Sequence, residues 1–164
     1  MTTPSHCPNE PGSLLVYAAK FVCGVMPEPR QSIEEGPTEE RPVEPGSYAT
    51  AINIHNPHAK PVVFLKKAVL LFDLDSKEVE RLFEPPKPPS PLHRAELLPD
   101  WGMEVDCRDI RQELLSGQAS PAPVFIKGWV IIESPEPLDV VAVYTVRGAG
   151  DVSIATDRVI PTRR

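Results

Sequence analysis

The stretch Pro45–Phe72, PGSYATAINIHNPHAKPVVFLKKAVLLF, decides the fold class. Tyr48–His55 and Pro61–Phe72 are dense in small, β-branched and aromatic residues, which suit a pleated, half-buried surface better than a helix. Asn56-Pro57 separates them as a turn, because the residue before proline is restricted and proline has no ladder donor. In the first run Tyr48, Thr50, Ile52 and Ile54 share one face, and Ala49, Ala51, Asn53 and His55 the other. In the second, Val63, Leu65, Lys67, Val69 and Leu71 oppose Val62, Phe64, Lys66, Ala68, Leu70 and Phe72. Both faces are mostly apolar, so the central lysines are expected to snorkel at a sheet edge or to contact a neighbouring subunit.

Further strands are expected on either side. Leu14–Met26 (LLVYAAKFVCGVM) has more β-branched and aromatic character than helical periodicity. Val124–Ile132 and Leu138–Val146 are dense strands around the connector Glu133–Pro137, while Leu92–Leu98 and Val152–Val159 are shorter ones. The clearest helix signal is Asp106–Leu115. There Asp106 can cap, Asp109 follows three residues later, Ile110, Leu114 and Leu115 form a stripe, and Gly117 can terminate. The 21 prolines cluster between these runs and punctuate them, which fits many extended connections and not a helical bundle. Pro27–Gly46 is an acidic, proline-rich loop, and Asp73–Pro91 passes from a polar turn through Val79, Leu82 and Phe83 into a proline-rich linker. The sequence therefore predicts an all-β protein, an antiparallel β-sandwich or partly closed barrel with one short helix. Its single domain spans 14–160, after a flexible arm at 1–13 and before a tail at 161–164.

Charge and composition narrow the function. A formal charge of -6 argues against a nucleic-acid backbone binder, and Lys66-Lys67 and Arg163-Arg164 are too short to form a basic surface. No apolar run approaches the ~18 residues of a membrane span, and MTTPSHCPNEPGS lacks the pattern of a secretion signal. Cys7, Cys23 and Cys107 leave at least one thiol unpaired in a monomer and offer no disulfide framework. A reducing, cytoplasmic location is the resulting expectation.

Candidate chemistry is sparse. His55 and His58 flank the turn and could converge on zinc, with Cys107 or His93 completing the coordination after folding. Structural hydrogen bonding is the simpler use of both histidines. Asp100, Glu104, Asp106 and Asp109 gather around Trp101, but helix capping accounts for the Asp106/Asp109 spacing. Cys107, at the expected helix start, would need a histidine base to act as a nucleophile; a packed thiol is the plainer reading. No nucleophile elbow or phosphate loop is present. Trp129 and Tyr144, inside strong strands, are expected in the core, whereas Trp101, in Pro99-Asp100-Trp101-Gly102, is placed to be presented by a turn. Tyr48 and Trp101 are the candidate partner or ligand surface.

The succession Tyr48–Pro57, a long strand, and then Ser134-Pro135-Glu136-Pro137-Leu138-Asp139-Val140-Val141-Ala142-Val143-Tyr144 resembles small bacterial β-sandwich proteins. It is more distantly similar to the soluble sensory rhodopsin transducer family. Asp139-Val140-Val141 follows that family's late-strand pattern without its proline. The resemblance covers Tyr48–Phe72 and Ser134–Val146 and implies a β-sandwich that assembles as a homo-oligomer and binds a partner. It carries over no catalytic residue.

These features predict a non-enzymatic, self-assembling β-sandwich that binds a protein or a small ligand. The alternatives are a metal-dependent enzyme or sensor at His55 and His58, and a carbohydrate or small-molecule module whose pocket is lined by Tyr48 and Trp101.

Overall fold

The computed structural model describes residues 13–28, 43–74, 88–114, 125–148 and 150–164. The expected arm up to residue 12, the middle of the acidic loop, Val79, Leu82, Phe83, Leu115 and Gly117 lie outside the described residues. Nine strands lie within them: β1 (Leu15–Met26), β2 (Gly46–His55), β3 (Val62–Leu74), β4 (His93–Leu97), β5 (Gly102–Asp106), β6 (Phe125–Ser134), β7 (Asp139–Arg147), β8 (Val152–Arg158) and β9 (Thr162–Arg163). These strands pair antiparallel throughout, as the expected sandwich requires.

One half runs β4-β3-β6-β1 and the other β5-β2-β7-β8, with β9 beside the start of β1. The halves join where Gly24–Met26 of β1 pairs with Gly46–Tyr48 of β2. Beyond that short ladder the Thr50 hydroxyl takes over. It accepts from the Val22 N–H and donates to the Val22 carbonyl, both at 3.0 Å. Inward residues of both halves then form one core, including Tyr17, Phe21, Phe64, Ile126 and Ile132 from one side and Ile52, Ile54, Val140 and Ala142 from the other. Burying such apolar side chains is worth roughly 1.5–3 kcal/mol each, which is what holds two twisted half-sheets face to face. Gly128 fits a close approach within that core: a Cβ there would fall 2.0 Å from the Val69 carbonyl oxygen.

The expected alternation of β2 holds, with Thr50, Ile52 and Ile54 buried and Asn53 exposed. The lysines of β3 differ from expectation. β3 is an interior strand between β4 and β6, Lys66 is buried on its inner face, and Lys67 pairs with Glu133 of the same chain at 3.6 Å. Trp129 lies on the outer face, since its register neighbours Val69 and Lys20 alternate with the buried Ala68 and Ala19.

At the expected helix the Asp106 carboxylate accepts from the backbone N–H groups of Arg108 and Asp109. The Asp109 side chain reaches back to the Asp106 N–H, completing a capping box. The helix α1 (Cys107–Asp109) then widens into a π-helical turn over Ile110–Leu114, seating the buried Ile110. Its first residue, Cys107, forms a disulfide with Cys23 of β1. This corrects the expectation that the cysteines form no disulfide and that Cys107 is a packed thiol, and with it the argument for a reducing compartment. Among the described residues no helix is long and apolar enough to cross a membrane.

Candidate functional site

The register of β2 builds the site. Antiparallel partners share a face, so Asn53 stands in a row with Glu104 of β5, Val141 of β7 and Arg158 of β8. The next row holds His55, flanked by Gly102 of β5 and Asp139 of β7. Because Ile52 and Ile54 are anchored in the core, these residues must face outward. All of these but Arg158 line a shallow cleft of about 360 Å³, together with Ile54 and Met103.

Its polar groups are held in place. Asp139 accepts from the Arg158 guanidinium at 2.7 Å through one carboxylate oxygen and approaches His55 Nδ1 at 3.5 Å through the other. Side chains of both His55 and Asp139 remain more than two-fifths exposed, so a ligand can reach them. Gly102 keeps the floor beside His55 open. A Cβ there would meet only the Ile54 carbonyl oxygen, at 3.5 Å, so a side chain would fill the cleft without straining the fold. The arrangement offers carboxylate, imidazole and amide groups above an aliphatic patch, which suits hydrogen-bonding recognition of a ligand rich in donors.

The turn beside the cleft is organised by Asn56. This fully buried side chain donates to the carbonyls of Lys60, Leu97 and Leu98 at 2.9–3.1 Å and accepts from the His58 N–H. Its backbone bonds Trp101 and Asp100, so one residue binds the β2–β3 turn to the β4–β5 turn. Trp101 is 59% exposed at this end, as the Pro-Asp-Trp-Gly pattern predicts, and Asp100 has φ 59°. Nearby, Lys60 and Glu136 pair at 2.6 Å.

The proposed metal ligands do not assemble. His58 turns its Nε2 to the Pro137 carbonyl at 2.6 Å, whereas His55 faces Asp139. His93 lies opposite Lys66 in the other half of the sandwich. Cys107 is corrected as a ligand: its sulfur is bonded to Cys23 and supplies no thiolate. Among the described residues no group of three His, Cys, Asp or Glu side chains could hold a metal ion. Tyr48 lies at the opposite end of β2 from His55, roughly 23 Å away at strand rise, packed edge-on against Phe125 with its hydroxyl on the Glu44 carbonyl. Neither Tyr48 nor Trp101 lines the cleft.

Sequence reasoning found His55 but missed Asn53, Gly102, Asp139, Val141 and Arg158 as its companions. The alternation of β2 was the available signal for Asn53. The other neighbours come from ladders whose register is tertiary. In comparisons with protein-family models, curated proteins and solved structures, none matches the chain.

Proposed function

We propose that this chain is a self-associating binding module that takes a small, hydrogen-bond-donating ligand into the cleft over β5, β2 and β7. The cleft geometry carries this reading: convergent polar groups at Asn53, His55, Glu104 and Asp139 stand beside a glycine that leaves room for a ligand. Binding is favoured over catalysis because Asp139 is already engaged by Arg158 and, among the described residues, no serine, threonine or cysteine lines the cleft. The carboxylates favour hydroxyl-rich or ammonium ligands over anions.

The test is an amide-resolved NMR titration with maltose as the hydroxyl-rich probe and spermidine as the cationic one. One of them is expected to shift His55, Gly102, Glu104 and Asp139 together, and Gly102→Val is expected to abolish the shifts while the protein stays folded. No concerted shift with either probe at millimolar concentration overturns the cleft. Self-association is read separately from the native mass of the untagged protein, and a strict monomer at several hundred micromolar overturns it.

A further inference from the structure

We propose that β8 is the self-association edge and that it pairs antiparallel with β8 of a second copy, about a two-fold axis at Ala155. The inference rests on the self-association reading and names the surface that performs it. β8 ends the sheet, paired on one side with β7 and exposed along all seven residues, including Val152 at 54% and Ile154 at 69%. Other free edges among the described residues are shorter. β4 and β5 have five residues each, and β4 alternates the exposed charges Arg94 and Glu96 along its length. Of the usual guards β8 lacks proline, lysine and a register shift; the charge in its inner row is Asp157, opposite the buried Ala142. Its arginine, Arg158, folds back onto Asp139 of its own sheet.

The hydrogen-bond phase shows which groups face the open side. Val159 N–H bonds the Val140 carbonyl at 2.9 Å, and Gly148 N–H bonds the Asp151 carbonyl at 3.1 Å. Bonded pairs alternate along an antiparallel ladder, so between these two limits Ser153, Ala155 and Asp157 turn their amides to β7. Val152, Ile154, Thr156 and Arg158 turn theirs outward. When two such strands meet at Ala155, Ile154 stands opposite Thr156 of the copy and Val152 opposite the stem of Arg158. Those pairs place outward amides against outward carbonyls, for about eight hydrogen bonds in all.

Side chains select this register. Centred on Ala155, Ser153 lies opposite Asp157 and no like charges meet. A shift to centre on Ile154 sets Asp151 directly against Asp157, which is unfavourable. A shift toward Thr156 runs into the segment after Arg158, where the chain leaves for β9. The two-fold pairing also consumes both β8 edges, so the assembly closes at two copies.

Three measurements on the full chain test the pairing. Thr156→Pro removes an outward donor that β7 does not use, so the fold is expected to survive while the dimer dissociation constant rises about 100-fold, the worth of two net hydrogen bonds. Ala155→Cys in a Cys7→Ser background is expected to cross-link two copies under copper-phenanthroline, whereas Ile154→Cys is not, because it faces Thr156. In the unmodified protein, amide exchange at Ile154 and Thr156 is expected to slow with concentration, while exchange at Ala155 does not change. A dimer insensitive to Thr156→Pro, with no cross-link from Ala155→Cys and no concentration-dependent protection, overturns the β8 pairing and leaves self-association standing. A monomer throughout overturns both.

Discussion

Asn56 shows how one side chain can govern a site it does not line. Its amide satisfies three carbonyls from two turns that flank the cleft. Asn56→Ala strands the buried Leu97 carbonyl and unties the half-buried bonds to Lys60 and Leu98, so it is expected to cost about 2–3 kcal/mol of unfolding free energy in urea titrations. A cost under ~1 kcal/mol would show that water replaces the amide. The tyrosines give a second residue-scale outcome. All three have raised pKa values. At Tyr17 burial is the main cause and the Asp139 charge adds to it, while the hydrogen bond from the Leu138 N–H pulls the other way. Burial dominates at Tyr48 and Tyr144 as well, supplemented by Glu44 and Asp157 respectively. A raised phenol favours the protonated folded state. Its stabilising contribution is therefore complete below pH 10.0 and is lost as the pH climbs through the folded value. Absorbance at 295 nm is expected to report phenolate later than free tyrosine does, together with loss of the strand circular dichroism. Ionisation of all three at pH 10 with the fold intact would contradict the packing. At this scale the sequence was partly legible. Alternation put His55 on the face opposite Ile52 and Ile54, and nothing local announced that Asn56 would be buried in a turn.

The elements differ in how much of themselves they declare. β1, β2, β3, β6 and β7 are long runs with strand chemistry, and each was readable. β5 was not: Gly-Met-Glu-Val-Asp has one buried residue, Val105, and acquires strand form by pairing with Ala51–His55. β9 is only two residues against Leu15 and Val16. The helix start was legible because a capping box is local, whereas the widening after Asp109 is dictated by where Ile110 must be seated. The Cys23–Cys107 bond was illegible for the same reason as β5. It depends on β1 and α1 meeting across a sequence separation of 84 residues. That bond ties a three-residue helix to a core strand. Reduction, or Cys107→Ser, is expected to lower unfolding free energy by about 2–4 kcal/mol. Urea unfolding with and without a phosphine reductant measures it, and identical midpoints would show that the bond contributes nothing to stability.

At the scale of the molecule, topology dominates. The largest ladders join β1 to β6, β3 to β6 and β2 to β7, segments far apart in the chain, so the folding nucleus must close long loops before it gains from them. Refolding from urea is expected in the millisecond-to-second range, and microsecond folding would be inconsistent with this order of strands. The fold class was legible because it follows from the sum of strand and turn signals. The strand order was not, since register lives in contacts between halves. The disulfide has one more consequence, for the chain as a thread. Residues 24–106 lie inside a covalent ring that carries β2, β3, β4 and β5. A single protease cut anywhere on that ring leaves both pieces attached, running as one 18.1 kDa band until the gel is reduced. A cut between residues 115 and 124 separates them at once, because both cysteines stay on the same fragment.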